Sequence, residues 1–339
     1  MRICFLPPDI GWAIDIGYLE IWENFVQCLP HAGPGYEITT NPSVADFVIN
    51  AYDDPIDYGD ISSRFRPLSR RDVETYTWNF FDRPTGRYSG FYSSLSKDLF
   101  DPRRHTSMSF PGPFNEMIEE FPRLDAVFDF SFVGQRSAGV RTRIFEQFFD
   151  RQSSLNAIVR DSGTAVWVFT EEERAGAGVR KAKRDYADVL RQSKFILCPR
   201  GFGPGSFRMF EAMQAGRVPV IISDAYVKPA GIDWDSCSLT IPESRIAEIP
   251  ETIRRRMDDW ECMAETARKV WEFNFSPLHV MDYITTNLVR MSGAIERTRF
   301  SPLAHSLRVG TSLLQRRLRP LAGQVKRSLN TRAMADRAV

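Results

Sequence analysis

Short apolar runs alternate with stretches of helical periodicity along most of the chain. The apolar runs predict strands at Arg2–Leu6, Asp46–Ala51, Val127–Val133, Ala165–Phe169, Phe195–Cys198, Val218–Ser223 and Ser238–Ile241. The periodic stretches predict helices at Gly17–Leu29, Val140–Phe149, Tyr186–Gln192, Ser206–Ala215, Arg245–Met257 and Asp259–Phe273. This alternation is typical of βαβ units built on a parallel sheet.

Pro122 marks the predicted boundary between two α/β domains that enclose a cleft. A chain of 339 residues exceeds the size at which a single core keeps growing. We therefore predict one domain over residues 1–122, a second over 123–290, and a separate segment over 291–339. From Asp53 to Asp101 the pattern becomes polar, proline-rich and aromatic. It indicates loops and short strands outside the core, of the kind that often carries binding function.

The composition is that of an ordinary globular protein, with 43% hydrophobic and 26% charged residues. The five cysteines are scattered and form no CxxC pair, so neither a disulfide framework nor a zinc site is expected. The first residues read as a strand rather than a signal peptide, and no apolar run reaches the roughly 18 residues of a membrane span. These features predict a cytoplasmic protein.

Charged residues are unevenly distributed along the chain. Residues 291–339 carry 10 Lys and Arg against 2 Asp and Glu, whereas the rest of the chain is acidic. The acidic body argues against nucleic acid as a partner. The tail combines leucines at helical spacing with arginines, a pattern that favours peripheral attachment to an anionic membrane. Packing of those leucines against the body is the alternative.

The segment from Cys198 to Asp224 predicts a strand, a glycine-rich turn, a helix and a second strand. Gly203 and Gly205 would let the backbone approach a ligand closely, and Ser206 is predicted to cap the helix. A helix N-terminus favours a diphosphate, which Arg200 and Arg208 would contact from either side. Glu211, three residues beyond Arg208, would accept hydrogen bonds from ribose hydroxyls.

Other interpretations of this segment remain open. The turn could be a plain connection, and Arg208 with Glu211 could be a surface ion pair. Gly201-x-Gly203 with Asp224 also resembles the dinucleotide fingerprint of a dehydrogenase. Ser206 stands where that fingerprint requires Gly or Ala, however, and the unit lies late in the chain.

The run SKFILCPRGFGPGSFRMFEAMQAGRVPVIISDAYVKP strongly resembles the signature of the exostosin-type glycosyltransferases, glycosyltransferase family 47. The resemblance extends over residues 128–277, through FSFVGQRSAGVRTRIFEQF upstream and VWEFNF downstream, and leaves residues 1–125 unassigned. It implies a GT-B fold, two facing Rossmann-like domains with the nucleotide-sugar in the C-terminal one, and an inverting reaction. It implies a bacterial-type enzyme of surface polysaccharide assembly at the cytoplasmic face, because the membrane anchor and second catalytic domain of animal members are not found.

The resemblance also implies the donor-binding residues. These are Arg200, Gly203, Gly205, Ser206, Arg208 and Glu211, together with Arg136 and Arg141 from an arginine-containing loop opposite the donor phosphates. Arg141 could instead be an exposed helix charge. The expected partners are a nucleotide-sugar, UDP-linked in our prediction, and a glycan or lipid-linked acceptor.

An inverting transfer needs a base for the acceptor hydroxyl and positive charge for the leaving diphosphate. The base is expected in the N-terminal domain, at Asp9 or Asp15, with Asp53, Asp54 and Asp82 as competitors. Trp12, Trp78 or Tyr92 could stack on a sugar, although core packing is the favoured interpretation for each.

No metal or other cofactor is expected, since arginines would supply the positive charge. The only Asp-x-Asp sequence, Asp233-Trp234-Asp235, lies past the donor strand and is a weak metal candidate. Two non-catalytic functions stay open, an inactive partner of a glycosyltransferase and a nucleotide-binding regulator.

Overall fold

The computed structural model describes residues 1–7, 16–51, 74–80, 82, 84, 86, 88–110, 115–149, 155–163 and 176–297, with side chains omitted at 16–21 and 294–297. The predicted strand at 165–169 and the basic tail lie outside these residues. None of the described helices combines the length and apolar content needed to cross a membrane.

Two mainly parallel sheets confirm the predicted α/β, GT-B-like architecture of two Rossmann-like units. The first has the order β2-β3-β1-β4-β5-β6-β7, in which only β2 and β3 pair in antiparallel fashion. Its strands are β1 Arg2–Leu6, β2 Ala32–Gly33, β3 Tyr36–Ile38, β4 Phe47–Ala51, β5 Glu74–Asn79, β6 Gly90–Tyr92 and β7 His105–Ser107. Helix α1, Ile16–Gln27, follows β1.

The second sheet has the order β12-β11-β10-β8-β9 and is parallel throughout. Its strands are β8 Phe128–Gly134, β9 Ala157–Asp161, β10 Ser193–Pro199, β11 Val218–Ile222 and β12 Leu239–Thr240. β11 is buried along its whole length and β10 along nearly all of it. Their continuous apolar runs reflect helices on both faces of the sheet.

The helices of the second unit agree with the sequence pattern in position but differ in length. They are α2 Gly139–Phe148, α3 Ala177–Arg191, α4 Arg208–Gln214, α5 Ile249–Arg254 and α6 Trp260–Asn274. The prediction began α3 too late, at Tyr186. It also merged α5 with the 3₁₀ helix Glu243–Glu248, whereas Pro250 in the first turn of α5 marks a new helical start.

The aromatic segment between Asp53 and Asp101 contributes to the core, contrary to the prediction. Tyr76 and Trp78 lie on β5, and Phe91 lies on β6, all three buried. The Phe25 ring of α1 meets Trp78 edge-to-face at 4.9 Å between ring centroids. These rings form the apolar layer under the first sheet.

A last helix, α7 Val280–Arg297, runs through the predicted boundary at residue 290 and contacts the first sheet. Its Tyr283 hydroxyl donates to the carbonyl of Ser107 at 3.0 Å, and Ser292 donates to the Glu74 carboxylate at 2.7 Å. Arg290 Nη2 donates to the carbonyl of His105 at 3.2 Å. The helix therefore covers β7, the edge strand of that sheet.

Arg217, just before β11, is fully buried at the junction of the two units. Its guanidinium donates to the carbonyls of Leu190, Arg191, Gly216, Phe121 and Pro122. Burial lowers the pKa of Arg217 to about 10. These hydrogen bonds hold the connection near Pro122 against the second unit.

Candidate donor site

The predicted donor residues gather where β8 and β10 end. From β8 the chain continues to β9 on one side and later returns to β10 on the other, so β8 and β10 form the switch point of the sheet. Ligands bind outside the carboxyl ends of strands at such points, because the connections there diverge and leave a crevice. Gly134 ends β8 and Pro199 ends β10.

Arg208 is, together with Arg141, the most enclosed of the predicted phosphate ligands. Its side chain is 8% exposed at the start of α4, and its Nε donates to the carbonyl of Val133 at 2.9 Å. The guanidinium lies 5.6 Å from the Phe132 ring centroid and 4.9 Å from that of Phe207. Its Nη1 is buried and has no hydrogen-bond acceptor. An anionic oxygen would complete this arrangement.

Arg141 on α2 is buried beside Arg208, so the interpretation of Arg141 as an exposed helix charge is wrong. Its Nε donates to the carbonyl of Arg200 at 3.1 Å and its Nη1 to the Ser137 hydroxyl at 3.0 Å. Burial, and then the positive charge of Arg208, lower its pKa to about 9. Within the described residues neither Arg141 nor Arg208 forms an ion pair with a carboxylate.

Arg200 is held by a carboxylate that the sequence analysis missed. Its Nε donates to Glu243 Oε1 at 2.6 Å. The backbone N–H of Glu243 in turn donates to Asp224 Oδ1 at 3.0 Å. Asp224, the ribose-binding acid of the dehydrogenase interpretation, is therefore engaged by the chain itself. Glu243 lies 43 residues beyond Arg200, and no local spacing links the two.

Glu211 is 6% exposed on α4, so the surface ion pair considered for Arg208 and Glu211 is absent. It accepts a hydrogen bond at Oε2 from the hydroxyl of Tyr186 at 2.7 Å. Burial raises the pKa of Glu211 to about 7, while the Tyr186 hydrogen bond and the charge of Arg208 oppose that rise. Tyr186 was predicted only as the start of a helix, and its polar contact was missed.

The glycine-rich turn packs against the first unit. A Cβ on Gly203 would lie 1.9 Å from the carbonyl oxygen of Asp82, and one on Gly205 would lie 2.4 Å from that of Ser93. The Gly205 N–H donates to the Ser94 hydroxyl at 2.9 Å. In this structure both glycines are explained by a close approach of protein backbone.

Ser206 does not cap the helix as predicted. Helix α4 begins at Arg208 with Phe207 in the capping position and no side-chain cap bond. The Ser206 hydroxyl is buried and has no hydrogen-bond partner. With Arg208 Nη1, it gives this turn two buried polar atoms without partners.

Arg136 lies at the rim of the site. It follows β8 and forms an ion pair with Asp161 at the end of β9, with Nε and Oδ2 2.9 Å apart. Its guanidinium also covers the Phe145 ring at 4.5 Å from the centroid. A donor phosphate would have to compete with Asp161 for this side chain.

Of the acids considered as catalytic base, Asp9, Asp15, Asp53 and Asp54 lie outside the described residues. Asp82 is exposed, its carbonyl faces Gly203, and its negative charge acts on Arg141. The structure thus brings Asp82 to the donor side chains from the opposite unit.

Of the three aromatic residues considered for stacking on a sugar, the structure describes two. Trp12 lies outside the described residues. Trp78 and Tyr92 are buried in the first unit, so their rings pack in the core and the hypothesis that they stack on a sugar is wrong.

In the described ranges no group of three His, Cys, Asp or Glu side chains could hold a metal ion. Asp233 and Asp235 flank the buried Trp234 in a 3₁₀ turn.

The fold and these side chains define a two-unit α/β protein with a cluster of arginines at the switch point of its second sheet. Residues 68–257, more than half of the chain, match the Exostosin GT47 domain, and the chain belongs to this family of glycosyltransferase domains.

Curated relatives match over a limited stretch. Exostosin-1 of Drosophila melanogaster is 30% identical over 128 residues, covering 37% of this chain and 17% of that protein. The Exostosin-1 homolog of Caenorhabditis elegans is 37% identical over 103 residues, covering 29% and 26%. This chain therefore spans about a quarter or less of their length. A crystal structure of a glycosyltransferase from Rickettsia africae ESF-5 resembles it with a TM-score of 0.42 at 10% identity, covering 88% of this chain and 99% of that one.

Proposed function

We propose that this domain is an inverting glycosyltransferase that moves a sugar from a UDP-linked donor to a hydroxyl group of a glycan or lipid-linked glycan. One observation carries the proposal. Arg141 and Arg208 bring two buried positive charges together, with the exposed Asp82 as a partial counter-charge to Arg141 and no ion pair to either arginine among the described residues. Such an arrangement costs free energy in the empty protein. A diphosphate bound between them would supply the missing charge.

The same two side chains suit the chemistry of the leaving group. As the bond between the anomeric carbon and the diphosphate oxygen breaks, negative charge grows on that oxygen. Positive groups fixed in a water-poor site stabilise this charge without reorganisation. Arg208 Nη1 and the Ser206 hydroxyl are the donors free to contact the phosphates. No metal ion is required in this mechanism, because the arginines provide the charge.

The acceptor side is assigned to the first unit. A base there takes the proton from the acceptor hydroxyl while its oxygen attacks the anomeric carbon from the face opposite the diphosphate. Asp82 is the described residue that fits, since it is exposed and faces the turn of residues 201–205. Asp9 and Asp15 are retained as candidates on the sequence argument alone.

Release of UDP from a panel of UDP-sugars, with an oligosaccharide acceptor mixture, tests the proposal directly. We expect turnover with at least one donor, a product of inverted anomeric configuration by NMR, and unchanged rates in EDTA. Retained configuration would contradict the inverting mechanism, and activity that needs Mn²⁺ would contradict the role given to the arginines. Donor binding without turnover under any condition would favour an inactive partner protein instead.

A further inference from the structure

A phenol and a carboxylate meet beneath the donor site. Tyr186 is on α3 and Glu211 on α4, and the Tyr186 hydroxyl donates a hydrogen bond to Glu211 Oε2 at 2.7 Å. The second oxygen, Oε1, makes no hydrogen bond within the described part of the chain. One oxygen of a nearly enclosed carboxylate is thus fixed and the other is available.

Arg208 is the obvious competitor for Glu211, since it lies one helical turn earlier on α4. It does not take that role, because its Nε donates to the carbonyl of Val133 and its guanidinium lies over two phenyl rings. The positive Arg208 and the acidic Glu211 therefore remain separately available at neighbouring positions of one helix.

We infer that Tyr186 is a positioning residue of the donor site, whose hydroxyl holds Oε2 of Glu211 so that Oε1 receives the ribose hydroxyls of the donor. The inference rests on the proposed function, because it assigns the ribose to Glu211 and the diphosphate to Arg208. It adds a residue from α3 that touches no substrate and acts only through the carboxylate.

The hydrogen bond also affects ionisation. The titratable groups that act on the pair are Arg208 on the same helix as Glu211, Cys198 on β10 and Arg141 on α2. Burial raises the pKa of Glu211 to about 7, and the phenol opposes this rise. Removing the phenol therefore raises the pKa of Glu211 further, so that less carboxylate is present at neutral pH. A more alkaline pH restores the carboxylate.

Tyr186→Phe keeps the ring, which packs against the core, and removes only the hydroxyl. Tyr76→Phe is a matched control, because the Tyr76 hydroxyl donates to the Glu74 carboxylate in the first sheet. Calorimetry on the full chain would use whichever of UDP, GDP, CDP and ADP the wild type binds most tightly. We expect Tyr186→Phe to raise the Kd about tenfold at pH 7, of the order of one hydrogen bond to a charged group, and pH 9 should recover only the part of this loss that comes from reduced ionisation of Glu211.

A second measurement needs no ligand. In protein labelled with ¹³C at the glutamate carboxyl, the Glu211 signal is assigned by its absence in Glu211→Gln. Its titration midpoint should lie near pH 7 in the wild type, higher in Tyr186→Phe and unchanged in Tyr76→Phe. An equal midpoint in Tyr186→Phe and wild type would overturn the inference.

The calorimetric outcomes separate this inference from the proposed function. Wild-type binding with an unchanged Kd in Tyr186→Phe overturns the inference alone. A loss of affinity that is the same at every pH also overturns it, since it would show a purely structural role. A wild type that binds none of the four nucleotides overturns both.

Discussion

Replacing Arg208 by methionine separates the contribution of its charge to activity from its contribution to folding. The substitution retains most of the side-chain volume beside Phe132 and Phe207. It removes the hydrogen bond to Val133, worth about 1.5–3 kcal/mol, and also the unpartnered buried Nη1, which costs about 1–3 kcal/mol. These opposing effects nearly cancel. We therefore expect the free energy of unfolding of the empty protein to change by no more than about 1 kcal/mol, or a few degrees in Tm.

The effect on activity should be much larger. Losing one positive group that acts on the leaving diphosphate lowers kcat/KM by roughly 10²–10³, equivalent to about 2.7–4 kcal/mol of transition-state stabilisation. The variant should also lose the rise in Tm that saturating nucleotide gives the wild type, about 2.7 kcal/mol at a hundred times Kd. The assays are UDP release and thermal unfolding with and without nucleotide. A folded variant with near-normal turnover would refute the role of Arg208. A variant with a Tm many degrees lower would show that the lost hydrogen bond and the removed unpartnered Nη1 do not cancel.

Three further perturbations follow from the buried charges and the tail. The pKa of Glu211 is raised from 4.5 to about 7, so the wild type loses stability as pH rises from 4.5 to 7, by about 3 kcal/mol from this group. In Glu211→Gln the free energy of unfolding, measured with urea, should not fall in this way across the same pH range. The same fall in both proteins would contradict the prediction. Arg217→Met should lower the free energy of unfolding by about 3 kcal/mol or more, because several buried carbonyls lose their donor. The exposed Arg245→Met is its control and should leave the urea midpoint unchanged; an equal midpoint for both variants would contradict the prediction. Truncation after Arg297, which leaves α7 intact, should abolish salt-sensitive sedimentation with anionic vesicles, whereas equal binding by full-length and truncated protein would exclude the tail as the anchor.

Local sequence predicted β10 and β11 well because these two strands are buried on both faces, whereas the half-exposed β9 was not predicted. β10 from Phe195 onward and the whole of β11 are apolar, and the connection between them contains Arg200, Arg208 and Glu211. Such a segment has one reasonable conformation, and the residues that it places at the strand ends follow directly. The general position of the candidate donor site could therefore be predicted from the sequence.

The first unit was predicted less well because its burial depends on distant parts of the chain. Tyr76 and Trp78 alternate with threonines, as an exposed strand would, yet α1 and neighbouring strands enclose both rings. The partners of the site residues have the same long-range origin. Glu243 reaches Arg200 from beyond β12, and Tyr186 reaches Glu211 from α3. Charge and spacing alone could not reveal these pairs.

The contact between α7 and β7 has a consequence for the order of folding during synthesis. The strands of the first sheet leave the ribosome early, but Tyr283, which caps the edge of that sheet, follows Ser107 by 176 residues. Until then β7 presents unpaired backbone groups, which invite pairing with other chains. Contacts so far apart in sequence also close slowly. The nascent first unit should therefore require protection by chaperones until α7 is made, and expression of residues 1–122 alone should give aggregates that co-expressed residues 123–297 reduce.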